Sequence, residues 1–269
     1  MTKRTLAGWV WVVAMACVVG GHAQAAPAKP LKVCADPNYM PYSNRLGQGF
    51  ENKVAQLVGH ALGRPVQYVW ASYRQQGGFE NFLALNLDRH RCDMIMNLPY
   101  GDYEETFTKP YYGSTYVFVY KKSKHYDFSA GMNSPILSHI KIGFEAGTPP
   151  EAGLKMRGLI MSAVPFHTAS SSSLSPKGPL EAVEDGKVDV LITWEPAVGY
   201  FVRKDFPNLT MTRVPNTVTF GAPERYLFFM SMGVAKGETA LKRQLDEVIR
   251  THKAQIQRIM NAYDVRILP

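Results

Sequence analysis

Short apolar runs and longer one-sided amphipathic stretches alternate along this chain. Leu31-Lys32-Val33-Cys34-Ala35-Asp36 is brief and ends at Pro37-Asn38, which predicts a strand closed by a turn, with Pro41 just beyond. From Phe50 to Gly63 the apolar residues fall at 50, 54, 57, 58, 61 and 62, the spacing of a helix with one buried face. Gly63 suits its C-terminal cap and Pro65 prevents continuation. Val66 to Trp70 predicts a second strand, Phe79 to Leu87 a second helix, and Met94-Ile95-Met96 a buried third strand. That strand is expected to stop at Leu98-Pro99, because Pro99 has no N–H for a ladder. An acidic turn, Gly101-Asp102-Tyr103-Glu104-Glu105, leads through Phe107-Thr108-Lys109-Pro110-Tyr111-Tyr112 into a strand over Thr115 to Tyr120. Strands alternating with helices predict an α/β fold with parallel pairing and right-handed crossovers.

Past Tyr120 the pattern restarts. Lys121-Lys122-Ser123-Lys124 marks a shift in composition, and Ile140 to Phe144 reads as the first strand of a second lobe. Gly147-Thr148-Pro149-Pro150 opens a helix to about Arg157, with proline tolerated in its first turn. Ser170 to Pro179 reads as a linker loop, since no Gly-x-Ser-x-Gly elbow surrounds its serines. Leu180 to Asp185 predicts a short helix, Lys187 to Ile192 a buried strand, and Tyr226 to Ala235 a strand returning to the first lobe. A helical stripe from Leu241 to Tyr263 follows, broken near Thr251. Crossings near Tyr120 and Met230 make a two-strand hinge. The expected division is 1–25 as leader, 26–119 with 230–269 as lobe 1, and 120–229 as lobe 2.

The leader is a signal peptide in form: Lys3-Arg4, an apolar core from Leu6 to Val19, and Ala23-Gln24-Ala25 before the cut. The core is short of the ~20 residues a spanning helix needs, so the mature protein is expected to be exported to the periplasm without spanning a membrane. The formal charge is +8, from 30 basic and 22 acidic residues; losing Lys3 and Arg4 leaves 28 against 22, or +6. That balance serves solubility or attraction to an acidic protein surface, and no dense basic stripe points to nucleic acid. His60, His90, His125, His139, His167 and His252 are scattered, and no metal, phosphate or dinucleotide motif occurs. Asp102, Glu104 and Glu105 read as a solvated turn before they read as acid–base chemistry. No cofactor, metal or catalytic role is expected.

Phe107-Thr108-x-Pro110-Tyr111-Tyr112, the helix start Gly49-Phe50-Glu51 and Asp185-Gly186-Lys187-Val188-Asp189 together resemble the periplasmic solute-binding proteins of the second structural type, especially the amino-acid binders. The resemblance implies two α/β lobes around a cleft. Aligned on Pro110-Tyr111-Tyr112, the arginine with which that family clamps a ligand carboxylate falls on Gly101. Its ammonium-binding aspartate falls on Trp194, while Asp189 matches a structural aspartate. Gly147-Thr148 matches the second-lobe carboxylate contact, or is an ordinary helix cap. An amino acid bound without both charged partners would bury uncompensated charges at a cost of several kcal/mol, so amino-acid transport is not expected. In the family's strand order the first strand neighbours the third, which implies a Cys34–Cys92 disulfide in the oxidising periplasm.

The segments LKVCADPNYMPYSNRLGQGFENKVAQLV, RCDMIMNLPYGDYEETFTKPYYGSTYVFVYKK, and KIGFEAGTPP with DGKVDVLITWEPAVGYF resemble a narrower branch, the MxaJ/MoxJ-like proteins of methanol-oxidation gene clusters. That likeness implies an accessory protein that contacts, matures or activates a PQQ-dependent methanol dehydrogenase. The alternative is a transporter-linked receptor for a neutral or aromatic small molecule. Tyr39, Tyr42, Tyr100, Tyr103, Tyr112, Gly147, Thr148 and Trp194 are the candidate positions for a cleft ligand or a partner contact.

Overall fold

The computed structural model describes residue 1 and residues 28–75, 78–101 and 106–265. The signal peptide and Tyr103, with its acidic neighbours, lie outside them.

The first lobe opens with β1 (Leu31–Ala35), the short antiparallel pair β2 (Asn38–Tyr39) and β3 (Ser43–Asn44), and α1 (Phe50–Ala61). There follow β4 (Val66–Trp70), α2 (Gly78–Asn86), β5 (Met94–Pro99), β6 (Thr106–Phe107) and the ten-residue β7 (Tyr112–Lys121). Next come β8 (Ile142–Glu145), α3 (Pro149–Met156), β9 (Val164–Phe166), α4 (Lys177–Glu184), β10 (Val190–Trp194), α5 (Glu195–Asp205) and β11 (Leu209–Arg213). A hairpin of β12 (Thr217–Thr219) and β13 (Ala222–Glu224) precedes β14 (Leu227–Val234), α6 (Thr239–Thr251) and α7 (Lys253–Ala262).

The strands run in the order β4-β1-β5-β14-β7-β10-β8-β9. β1 is parallel to β4 and β5, and β10 is parallel to β8, as crossover helices require. The antiparallel strands β14 and β7 stand between these two parallel halves. β7 pairs through Tyr112–Thr115 with β14 and through Tyr116–Tyr120 with β10, and it carries β11 on its other edge. Each half repeats one fastening. Asp93 Oδ2 accepts the Lys32 N–H at 3.0 Å, and Asp189 Oδ2 accepts the Lys141 N–H at 2.9 Å.

Several expectations shift. β5 runs through Pro99 because Pro99 faces Met230 in a non-hydrogen-bonded pair, flanked by the bond from Tyr100 N–H to Phe229 O, so its missing N–H costs nothing. β7 starts at Tyr112 rather than Thr115. α4 starts at Lys177, which shortens the expected serine loop. Helix α5, unforeseen in the sequence, follows Trp194 directly, with Pro196 in its first turn.

Cys34 and Cys92 form a disulfide with Cα atoms 5.5 Å apart. It is packed among Phe82, Leu83, Leu87, Ile95 and Leu98 in a core of its own under lobe 1.

Candidate functional site

The loop after β1 carries Tyr39 and Tyr42, whose rings stack at 4.7 Å. Gly49 holds this loop against α1: a Cβ there would sit 2.0 Å from Tyr42 O, so only glycine fits. Asn52 Oδ1 completes the joint by accepting the N–H groups of Gly49 at 3.1 Å and Asn44 at 3.0 Å. Tyr73, after β4, meets Tyr39 edge-on at 5.8 Å and Phe79 at 5.3 Å. These four rings form one wall of a cavity of about 720 Å³ between the lobes.

The opposite wall is built on the crossing strands and on the start of α5. Tyr116 on β7, Trp194 at the end of β10 and Phe228 on β14 lie 5.2, 6.1 and 6.3 Å from one another, centre to centre. Gly147 and Thr148 enter the lining at the start of α3, where Gly147 takes the left-handed φ of +73° that the turn needs. Asn97 also lines the cavity; it sits at φ +60° opposite a register shift between Ser231 and Gly233.

One carboxylate reaches this space. Glu145 Oε2 accepts a hydrogen bond from Thr168 Oγ1 at 2.6 Å, and Oε1 accepts the Ala169 N–H at 2.8 Å. Burial pushes its pKa up against these bonds, and burial likewise raises the Tyr39 and Tyr116 hydroxyls. Among the described residues, no group of three or more His, Cys, Asp or Glu side chains could hold a metal ion.

Beside the cavity lies a residue that the sequence reading passed over. Arg74 is 1% exposed. Its Nε donates to Asp36 Oδ2 at 3.3 Å and one terminal nitrogen donates to Asn38 O at 2.8 Å, both in the first lobe. The other terminal nitrogen donates to Thr168 O, Ser171 O and Leu174 O at 3.2, 3.1 and 3.0 Å, across the boundary. Asp36 is held in turn by the Asn38 N–H at 2.8 Å and by the Ser72 hydroxyl. The guanidinium also lies 3.7 Å from the Tyr39 ring centre. The serine-rich stretch expected as a linker is therefore docked onto lobe 1 through its backbone carbonyls. Arginine suits this position because its planar fork can serve several acceptors at once.

The sequence candidates divide as follows. Tyr39, Tyr42, Gly147, Thr148 and Trp194 line the cavity. Tyr112 does not: it is buried in the core edge-on to Phe50, and its hydroxyl is bonded to the Asn97 side chain. Tyr100 is outside the cavity as well, 54% exposed, and its N–H bonds the carbonyl of Phe229, itself 41% exposed. Gly101 sits in an exposed turn at φ +89°. The lining residues that sequence reasoning missed include Tyr73, Phe79, Asn97, Tyr116, Glu145 and Phe228.

Residues 31–264 match the family model for bacterial extracellular solute-binding proteins, family 3. Protein MoxJ of Methylorubrum extorquens is 32% identical over 266 residues, covering 91% of this chain and 85% of its own length. The crystal structure of MxaJ from Methlophaga aminisulfidivorans MPT superposes with a TM-score of 0.79 at 25% identity, over 88% of this chain and all of that one. The periplasmic binding protein XoxJ of Methylobacterium extorquens AM1 superposes with a TM-score of 0.70 at 31% identity, over 89% of this chain and 99% of that one. No helix among the described residues is long and apolar enough to cross a membrane.

Proposed function

The chain belongs to family 3 of the bacterial extracellular solute-binding proteins, in its MxaJ/MoxJ-like branch, and from that premise we propose that it is a periplasmic accessory protein of methanol oxidation. It works by contact with a PQQ-dependent methanol dehydrogenase, as an aid to maturation or activation, and not by catalysis. The signal peptide at 1–25 directs its export, and the lobes divide at 119/120 and 229/230. What supports this reading is that the positions expected from the sequence for the two charged clamps of the amino-acid binders hold Gly101, which is exposed, and Trp194, which lines the cavity, in a chain that keeps the family fold. Beside Gly101, Tyr100 and Phe229 offer neighbouring exposed aromatic side chains, the residue type that supplies much of the energy in protein contacts.

A pull-down with the tagged mature protein from periplasm of methanol-grown cells tests the proposal. The dehydrogenase is expected to co-purify and to be lost with a Tyr100→Ser/Phe229→Ser variant whose melting temperature is unchanged. Recovery of transporter subunits in its place would favour the receptor alternative and overturn the reading.

A further inference from the structure

Helices whose N-termini face a cleft ordinarily attract anions, because their free N–H groups and dipoles point there. Here α1 begins behind Tyr42, while α2, α3 and α5 begin in the cavity wall, and each carries a glutamate in its first turn: Glu51, Glu80, Glu151 and Glu195. On α3 the substitution is direct, since Glu151 Oε2 accepts the Gly147 N–H at 2.7 Å. The positive helix ends are thus answered from within the chain. Among the described residues the lining contains one acid, Glu145, and no Lys, Arg or His.

The aromatic wall adds a shape to this charge. The planes of Tyr116, Trp194 and Phe228 are inclined to one another by 57°, 69° and 76°, so the three rings make a corner and not a stack. An aromatic face is the negative part of the ring's quadrupole, and a corner brings several such faces to one point. The chain's own cations already use rings of this cavity: Arg74 lies over Tyr39, and Arg225 lies 5.5 Å from the centre of Phe228, neither of them in the lining.

We propose that the cavity binds a small organic cation, an alkylammonium or quaternary ammonium group seated in the corner of Tyr116, Trp194 and Phe228 with Glu145 as its counter-charge. A volume of about 720 Å³ accommodates such a group with a polar or apolar extension. This goes beyond the accessory role and does not rest on it, because Tyr100 and Phe229 lie outside the cavity. It also changes the ligand class of the receptor alternative expected from the sequence, from neutral or aromatic to cationic.

Calorimetric titration of the mature protein with choline and with its uncharged carbon isostere, 3,3-dimethyl-1-butanol, tests the proposal at constant shape. Choline is expected to bind at least about tenfold tighter. Glycine betaine, whose carboxylate finds no cation in the lining, is expected to bind more weakly than choline. Glu145→Gln should weaken choline by about tenfold while leaving the isostere unchanged. Trp194→Leu keeps the loop held by Glu145 and should weaken choline with little effect on folding. Equal affinity for choline and its isostere, or no heat from choline at millimolar concentration, would overturn the proposal. Capture of the dehydrogenase is unaffected by either result, so the two readings fail separately.

Discussion

Arg74 and the aromatic cavity share the boundary between the lobes, with Tyr39 belonging to both, yet their polar groups are treated in opposite ways. Around Arg74 the guanidinium donates to five acceptors drawn from both lobes. At the cavity, among the described residues, rings and one carboxylate face open space. In the amino-acid binders that this chain resembles, an arginine clamps the ligand carboxylate. Here the position expected for that arginine from the sequence is Gly101, and Arg74 bonds groups of both lobes directly. The difference teaches that Arg74, whose bonds join the lobes, lies apart from the cavity lining.

The largest effect is expected where that separation is attacked. Arg74→Ala leaves Asp36, 2% exposed, as a buried charge without its cation, which costs roughly 3–5 kcal/mol. Urea unfolding should register the loss, and Arg74→Lys should recover only part of it, since one ammonium cannot reach Asp36, Asn38 O and the loop carbonyls from three separate nitrogens as the guanidinium does. A full rescue by lysine would mean that the charge on Asp36 matters and the loop does not. The disulfide ranks next. Cys34 and Cys92 are 58 residues apart, and opening that loop removes roughly 4 kcal/mol in the chain-entropy model. A Cys34→Ser/Cys92→Ser variant should unfold at lower urea yet keep its closed form when folded, because the bridge lies within lobe 1.

Much of this frame was legible in the sequence. The α1 stripe, the third strand at Met94 and the break after Thr251 follow from periodicity and proline placement, and the Cys34–Cys92 bridge followed once the strand order was implied by resemblance. Arg74 was not legible. In Ser72-Tyr73-Arg74-Gln75 it looks like any arginine in a polar loop, and three of its acceptors are backbone carbonyls, which leave no mark in a sequence. Tyr112 and Tyr116 illustrate a second limit. Both belong to one buried strand, and which of them faced the cleft depended on the lobe packing, not on strand alternation alone.

A smaller effect is expected at Glu51, whose carboxyl is pushed up to about 8 by burial and, next, by the charge of Asp36. Between the ordinary value of 4.5 and about 8, the folded protein holds a proton that the unfolded chain has released. This group therefore makes folding less favourable as pH rises through that window. Glu51→Gln should melt several degrees above the parent at pH 8, and the gap should close by pH 4. A gap independent of pH would assign the gain to packing. The smallest effect belongs to the cavity wall: Trp194→Leu, in a half-open space, should change the melting temperature far less than Arg74→Ala. A comparable loss would place Trp194 among the elements that hold the lobes together.

Small-angle scattering of the ligand-free mature protein, compared with Arg74→Ala, tests the self-closure most directly. The parent is expected to scatter as the closed two-lobe form with no solute present, and the variant with a larger radius of gyration. A parent that scatters as an open form, indistinguishable from the variant, would contradict the account.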